Sequence, residues 1–133
     1  MSRYYYFAAT LPSLAFGAQS PMTGAEFLER CRIHLIHDDS ALVAATVLSS
    51  ESDSPPKESR ISEFLSTYYT WERSLRNALV ILRSHRSGKS GEKWLKPSRR
   101  NDDSARAAGI VFQAGTPLEG EISLERERWT FID

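Results

Sequence analysis

The sequence predicts an all-α protein, a bundle of five or six helices around one long central helix, and three observations predict it. Ile61, Phe64, Leu65, Tyr68, Trp71, Leu75, Ala78, Leu79 and Leu82 recur mostly at steps of three and four residues, the spacing of one helix face. Two helix starts are written in capping chemistry, Thr23 with Glu26 and Thr116 with Glu119. The 133 residues, 41% hydrophobic and 26% charged, suffice for one compact domain, 1–133, with a sizeable core, so a wholly disordered chain is excluded.

Lys+Arg and Asp+Glu balance at 17 each, so no overall field draws the chain to nucleic acid or to anionic lipid. The opening Met1 to Pro12 has one basic residue, and Thr10 and Pro12 interrupt its short apolar run, which makes a poor signal peptide. No stretch approaches the ~20 apolar residues that span a bilayer. Cys31 has no second cysteine to pair with and lies among Phe27, Leu28 and Leu35. It reads as a small apolar core residue, and a cytosolic setting follows.

In chain order, Tyr4 to Leu11 reads as a short helix or an aromatic-rich strand, a choice that periodicity leaves open over so short a run. Pro12, Gly17 and Pro21 make 12–22 a connecting loop. From Thr23 a helix runs over about 24–36, with Phe27, Leu28, Cys31 and Leu35 on one stripe. Residues 37–40 are the break, and Asp38 or Asp39 would cap a second helix to about Leu48, with Leu42, Val43, Thr46 and Val47 inward. The pair is close enough for an αα-hairpin. Ser49 to Lys57, with Pro55-Pro56, is a polar loop and the best internal boundary.

The long seam then predicts a helix over about 60–86, roughly 40 Å at 1.5 Å per residue, with Ser62, Glu63, Ser66, Arg73, Arg76 and Arg83 off it. Gly88 and Gly91 end it, and 88–102 is a polar, basic segment with Pro97. Asp103 or Ser104 would cap a further helix to Ala114, with Ala107, Ile110 and Val111 inward. The last helix, Pro117 to about Ile132, carries Leu118, Ile122, Trp129 and Ile132. So apolar an end suggests that the natural protein continues beyond Asp133.

No catalytic pattern is met. Gly88-Lys89-Ser90 looks like the end of a phosphate-binding loop, but the glycine required five residues earlier is Arg83, and a helix precedes the segment where a strand is needed. His34 and His37 are three apart beside Asp38 and Asp39, without the further Cys or His cluster that a zinc site takes. Solvent-facing histidines near a helix end explain them. The acidic pairs Asp38-Asp39 and Asp102-Asp103 fall where helix caps are wanted. No serine sits in a G-x-S-x-G turn. The expectation is a non-enzyme without cofactor or metal; an enzyme would need a hidden pocket around His34, His37 and Asp38.

From Arg83 to Arg100 the chain carries Arg83, Arg86, Lys89, Lys93, Lys96, Arg99 and Arg100 against Glu92, with Trp94 and Leu95 interleaved. A solvated loop, a docking strip for an acidic partner protein and a nucleic-acid contact all fit this run. Balanced net charge favours docking over nucleic acid, and Arg83, Arg86, Lys89, Arg99 and Arg100 are the candidate contact residues.

Several segments together resemble a known family. Arg3-Tyr4-Tyr5-Tyr6-Phe7-Ala8-Ala9 is similar to the aromatic, alanine-containing opening of the C-type stalk subunit of V/A-type ATPases, the d-type subunit of the eukaryotic enzyme. Met22 to Ile36 is similar to the helix that follows it there. Glu72-Arg73-Ser74-Leu75-Arg76-Asn77-Ala78-Leu79-Val80-Ile81-Leu82-Arg83 resembles that family's acidic, Asn, apolar-apolar-x-Arg helix, which precedes a basic, glycine-containing turn as at Arg86 to Lys89. The Tyr-Tyr-Tyr start and the Pro117-Leu118-Glu119 helix start resemble a shorter bacterial group encoded in V-type ATPase operons. The likeness covers about 1–36, 60–90 and 116–132, in a chain roughly a third of that family's length, which would make it an N-terminal portion or a reduced relative. It implies a non-catalytic coupling piece that contacts the rotor ring and the central shaft, cytoplasmic and peripheral to the membrane through those subunits.

Overall fold

In a computed structural model, residues 3–49, 63–99 and 101–133 are described, the side chains of 47–49 excepted. The protein is all-helical: six α-helices and one 3₁₀ turn, with no strand among the described residues. Its contacts gather into two compact units, 1–61 and 62–133. The loop boundary expected at 49–57 lies, beyond Ser49, outside the described residues.

In the first unit the aromatic opening is helical, α1 (Tyr5–Thr10). It stops at Leu11, which is extended at ψ 138° as a residue before proline must be. Thr23 opens α2 (Gly24–His34) with the expected capping box. The helix ends two residues before the expected point, because Leu35 turns extended at ψ 155°. α3 (His37–Ser49) therefore begins earlier than expected. Ile36 supplies its first carbonyl, accepting from the Ser40 amide, so Asp38 and Asp39 occupy the first turn instead of the cap. There they still favour the helix, their charges lying at its positive end. α2 and α3 pack together as the expected hairpin. Tyr4 pins the turn between them, donating to Asp39 Oδ2 at 2.5 Å and accepting from the Ile36 amide at 3.4 Å. Cys31 is buried, while Phe27, Leu28, Leu35, Leu42, Val43 and Thr46 are half-buried. The Val47 side chain lies outside those described.

The second unit is built on α4 (Glu63–Ser87), 25 residues without Gly or Pro, about 37 Å long. Residues 60–62, with Ile61 of the seam, lie outside the described residues. α5 (Asp102–Phe112) and α6 (Pro117–Ile132) pack on α4 and on each other. Trp71, Leu75 and Leu79 meet Ala107, Ala108, Val111 and Leu124 in one core. Each large apolar side chain so buried contributes about 1.5–3 kcal/mol. The seam is narrower than its periodicity predicts, since Phe64 is half in solvent.

α5 is capped by Asn101, whose side chain accepts from the Ser104 amide, and neither Asp103 nor Ser104 serves as cap. Both are engaged across the helix pair: Trp71 Nε1 donates to Asp103 Oδ2 at 2.9 Å, and the Ser104 hydroxyl donates to the Trp71 carbonyl at 3.2 Å. Ile110, expected inward, is exposed. Ser104 meets α4 near its start and Phe112 lies under Arg86 near its end, so α5 runs in the direction of α4. α6 returns the other way and stacks Phe131 on Trp71, ring centroids 4.6 Å apart. Its start is the expected Thr116 capping box with Pro117 in the first turn. Its apolar character divides unexpectedly, however. Leu118, Ile122 and Ile132 face solvent, whereas Leu124 is buried and Phe131 packs on the core.

Candidate functional site

Two parallel helices joined in sequence need a connection that travels back along the first, and residues 88–99 belong to that connection. α4 ends in a left-handed Gly88 at φ +66°. The Gly88 amide donates to the His85 carbonyl and the Lys89 amide to the Ser84 carbonyl, the paired bonds of a Schellman turn. Gly91 then lies buried against α4. A Cβ there would stand 2.9 Å from Val80 Cγ1 and 3.0 Å from Ser84 Cβ, so this approach requires glycine. Further back, Asn77 clamps the chain with both ends of its amide, Nδ2 donating to the Lys96 carbonyl at 2.7 Å and Oδ1 accepting from the Lys96 amide at 3.0 Å. Arg73 adds a long bond to the Pro97 carbonyl.

These anchors leave a groove of about 480 Å³ between helix and return segment. One wall is Ile81, Ser84 and His85; the other is residues 88–92 and Leu95. Ile81 is 45% and Leu95 38% exposed, so both present apolar surface to solvent. Lys89 stands on the groove itself, and Lys93 lies beside it in sequence with its ammonium 5.0 Å over the Trp94 ring.

The five candidate contact residues do not converge. Lys89 lines the groove. Arg83 leaves α4 about 160° around the helix from Ile81, at 100° per residue, on the far side. Arg86 is spread over the Phe112 ring, 5.6 Å from its centroid. Arg99 follows Pro97, which is held beside Arg73, about 15 Å along the axis from Arg83. Arg100 lies outside the described residues. Of the histidine group, His34 stacks on Phe7 at 5.1 Å, and no three His, Cys, Asp or Glu side chains gather as metal ligands among the described residues. Burial pushes the Cys31 thiol up, away from thiolate reactivity.

Periodicity missed the Glu72 cluster. Glu72 is buried on α4, where its Oε1 meets Arg128 Nη2 at 2.5 Å and Arg76 Nε at 2.9 Å, while Oε2 accepts from Arg128 Nε at 3.1 Å. Arg128 also pairs with Glu125. Burial raises the Glu72 carboxyl, but the Arg128 hydrogen bonds and charge, joined by Arg76, outweigh it and hold the group below the ordinary carboxylate range. Asp103 is lowered mainly by the Trp71 hydrogen bond, with burial opposing and Arg106 assisting. The trace of Glu72 was in the sequence: Tyr68, Glu72, Leu75 and Leu79 share one stripe, and an acid on such a stripe needs a cation. Asn77 left a fainter one, an amide of modest helix propensity in mid-helix.

No family model, curated protein or solved structure matches the chain. No described helix is long and apolar enough to cross a membrane.

Proposed function

We propose that the protein is a non-catalytic coupling or stalk-type adaptor of a V-type ATPase, acting by contact with the rotor ring and the central shaft. The reading takes the chain as a bundle around α4, cytoplasmic and peripheral to the membrane through those subunits. One observation carries it. Asn77, the asparagine of the helix pattern that resembles the C-type stalk family, is the side chain that locks the basic return segment onto α4. A basic turn held by two hydrogen bonds, a Schellman turn and a glycine contact is preorganised, and preorganised surface loses less entropy on binding than a mobile loop does. Charge of one sign on such a turn guides an acidic partner and sets its orientation.

The test is capture of purified rotor-ring and shaft subunits by the wild-type chain and by an R83E/K89E variant. Arg86 is left in place because its guanidinium covers Phe112, so its loss would also disturb packing. Capture should fall in the variant with helicity unchanged; equal capture by both proteins counts against the reading.

Nucleic-acid binding through residues 83–100 is the alternative, and one observation favours it: Trp94 is 65% exposed and offers a stacking surface. Lys93 already covers part of that ring. Binding of an oligonucleotide that weakens steeply with salt would select this alternative.

A further inference from the structure

We infer that α6 is a strap: it lifts off as a unit while α4 and α5 stay paired, and two bridges, Arg128 to Glu72 and Glu127 to Arg106, are its fasteners. The inference concerns unit 62–133 alone and goes beyond the adaptor reading, whose success or failure leaves it untouched.

The three helices are joined unequally. α4 and α5 share Trp71, Leu75, Leu79, Ala107, Ala108 and Val111, and two bonds add to that contact, Trp71 Nε1 to Asp103 and the Ser104 hydroxyl to the Trp71 carbonyl. α6 contributes Leu124 as its one buried side chain and lays a half-buried Phe131 on Trp71. Leu118, Ile122 and Ile132 face solvent and add nothing to that hold. Local stability follows buried apolar contact, so α6 is the most weakly held of the three. Polar contacts supply the rest. Residues 127 and 128 lie about 60° and 40° to either side of the ridge of Leu124 and Phe131, at 100° per residue. Arg128 therefore reaches Glu72 on α4, and Glu127 accepts from Arg106 on α5 at 2.9 Å. Both fasteners can also let go. When α6 leaves, Arg128 keeps Glu125, Glu72 keeps Arg76 and Arg106 keeps Asp103, each on its own helix, while Glu127 exchanges its guanidinium for water. Opening strands no charge, the condition that makes a broken buried pair costly. Residues 113–116 are the hinge. Lifting takes Phe131 off Trp71 and uncovers that ring while α4 stays helical.

The experiment is amide hydrogen exchange of the ¹⁵N-labelled full chain at rising low concentrations of urea, on wild type, Asn101→Ala and Glu72→Gln. In wild type the amides of 121–131 should share one opening, at least about tenfold more frequent than that of 71–79, with a shallower urea slope because less surface is exposed. Asn101 caps α5, which stays intact in the open form. Asn101→Ala should therefore speed exchange at 71–79 about fivefold and leave 121–131 unchanged. Glu72→Gln removes a fastener that exists only in the closed form, and should speed 121–131 about a hundredfold. Four results each overturn the strap. They are protection of 121–131 equal to or above that of 71–79 in wild type, protection graded along α6 as in fraying, Asn101→Ala speeding both segments alike, and 121–131 unmoved by Glu72→Gln. Wild type and Asn101→Ala decide the matter even where Glu72→Gln fails to fold.

Discussion

Glu72 shows what one buried charge demands of its neighbours. Its carboxylate accepts from Arg76 one turn along α4 and from Arg128 on α6, so it ties the last helix to the first of its unit. Glu72→Gln leaves Arg128 with Glu125 alone, and removing one member of a largely buried pair costs roughly 3 kcal/mol, which thermal unfolding followed by circular dichroism will read. The pH dependence has a definite sign. The folded carboxyl is held below its unfolded value of about 4.3, so its contribution is full above that pH and is lost as pH falls through the lower folded value. Melting temperature should therefore drop less steeply below pH 4 in Glu72→Gln than in the wild type; parallel profiles would refute the assignment. Asn77 acts on the return segment instead. Asn77→Ala removes two hydrogen bonds to Lys96, worth about 1–2 kcal/mol together, and frees the segment for cleavage. Trypsin should cut after Lys93 faster in the variant while α4 stays helical.

Helix ends and helix faces differ in how far they can be read without coordinates. Thr116 and Glu119 lie three residues apart, and their bonds depend on nothing beyond that turn, so the start of α6 is legible from sequence. Thr116→Ala should cost roughly 1 kcal/mol, seen as a lower denaturation midpoint with an unchanged slope. The start of α5 escapes such reading because two acids and a serine compete for one capping role. Asn101 holds it, since Asp103 and Ser104 are drawn to Trp71 on another helix. The face of α6 is hidden for a related reason. Leu118, Ile122, Trp129 and Ile132 form one apolar stripe and Leu124 with Phe131 another, and periodicity does not rank them. The Trp71 stack and the Glu72–Arg128 pair choose the second. At the return segment, Gly91→Ala forces a methyl against Val80 and Ser84, an overpacking of about 1–3 kcal/mol that a lower melting temperature will read.

Across the whole molecule the two units differ in how much they bury. Unit 62–133 holds the core of Trp71, Leu75, Leu79, Ala107, Ala108, Val111 and Leu124, whereas Cys31 is the one buried hydrophobic side chain among those described in 1–61. Local stability follows buried apolar contact, so amide exchange should be slower in 71–82 than in 24–34, and comparable protection in the two helices would contradict this. Helicity itself, the starts of α2 and α6, a helix of about 25 residues after residue 60 and its end at Gly88 can all be read from residue order, because each rests on periodicity or on contacts within one turn. The packed molecule adds that α5 runs along α4 and α6 against it, and with that which face of α6 is covered, which cation neutralises Glu72, and that Asn77 meets Lys96. Those contacts join residues 19 to 60 positions apart, Asn77 with Lys96 at one extreme and Trp71 with Phe131 at the other, and they form or fail with the direction in which the helices pack, a quantity that no local spacing encodes.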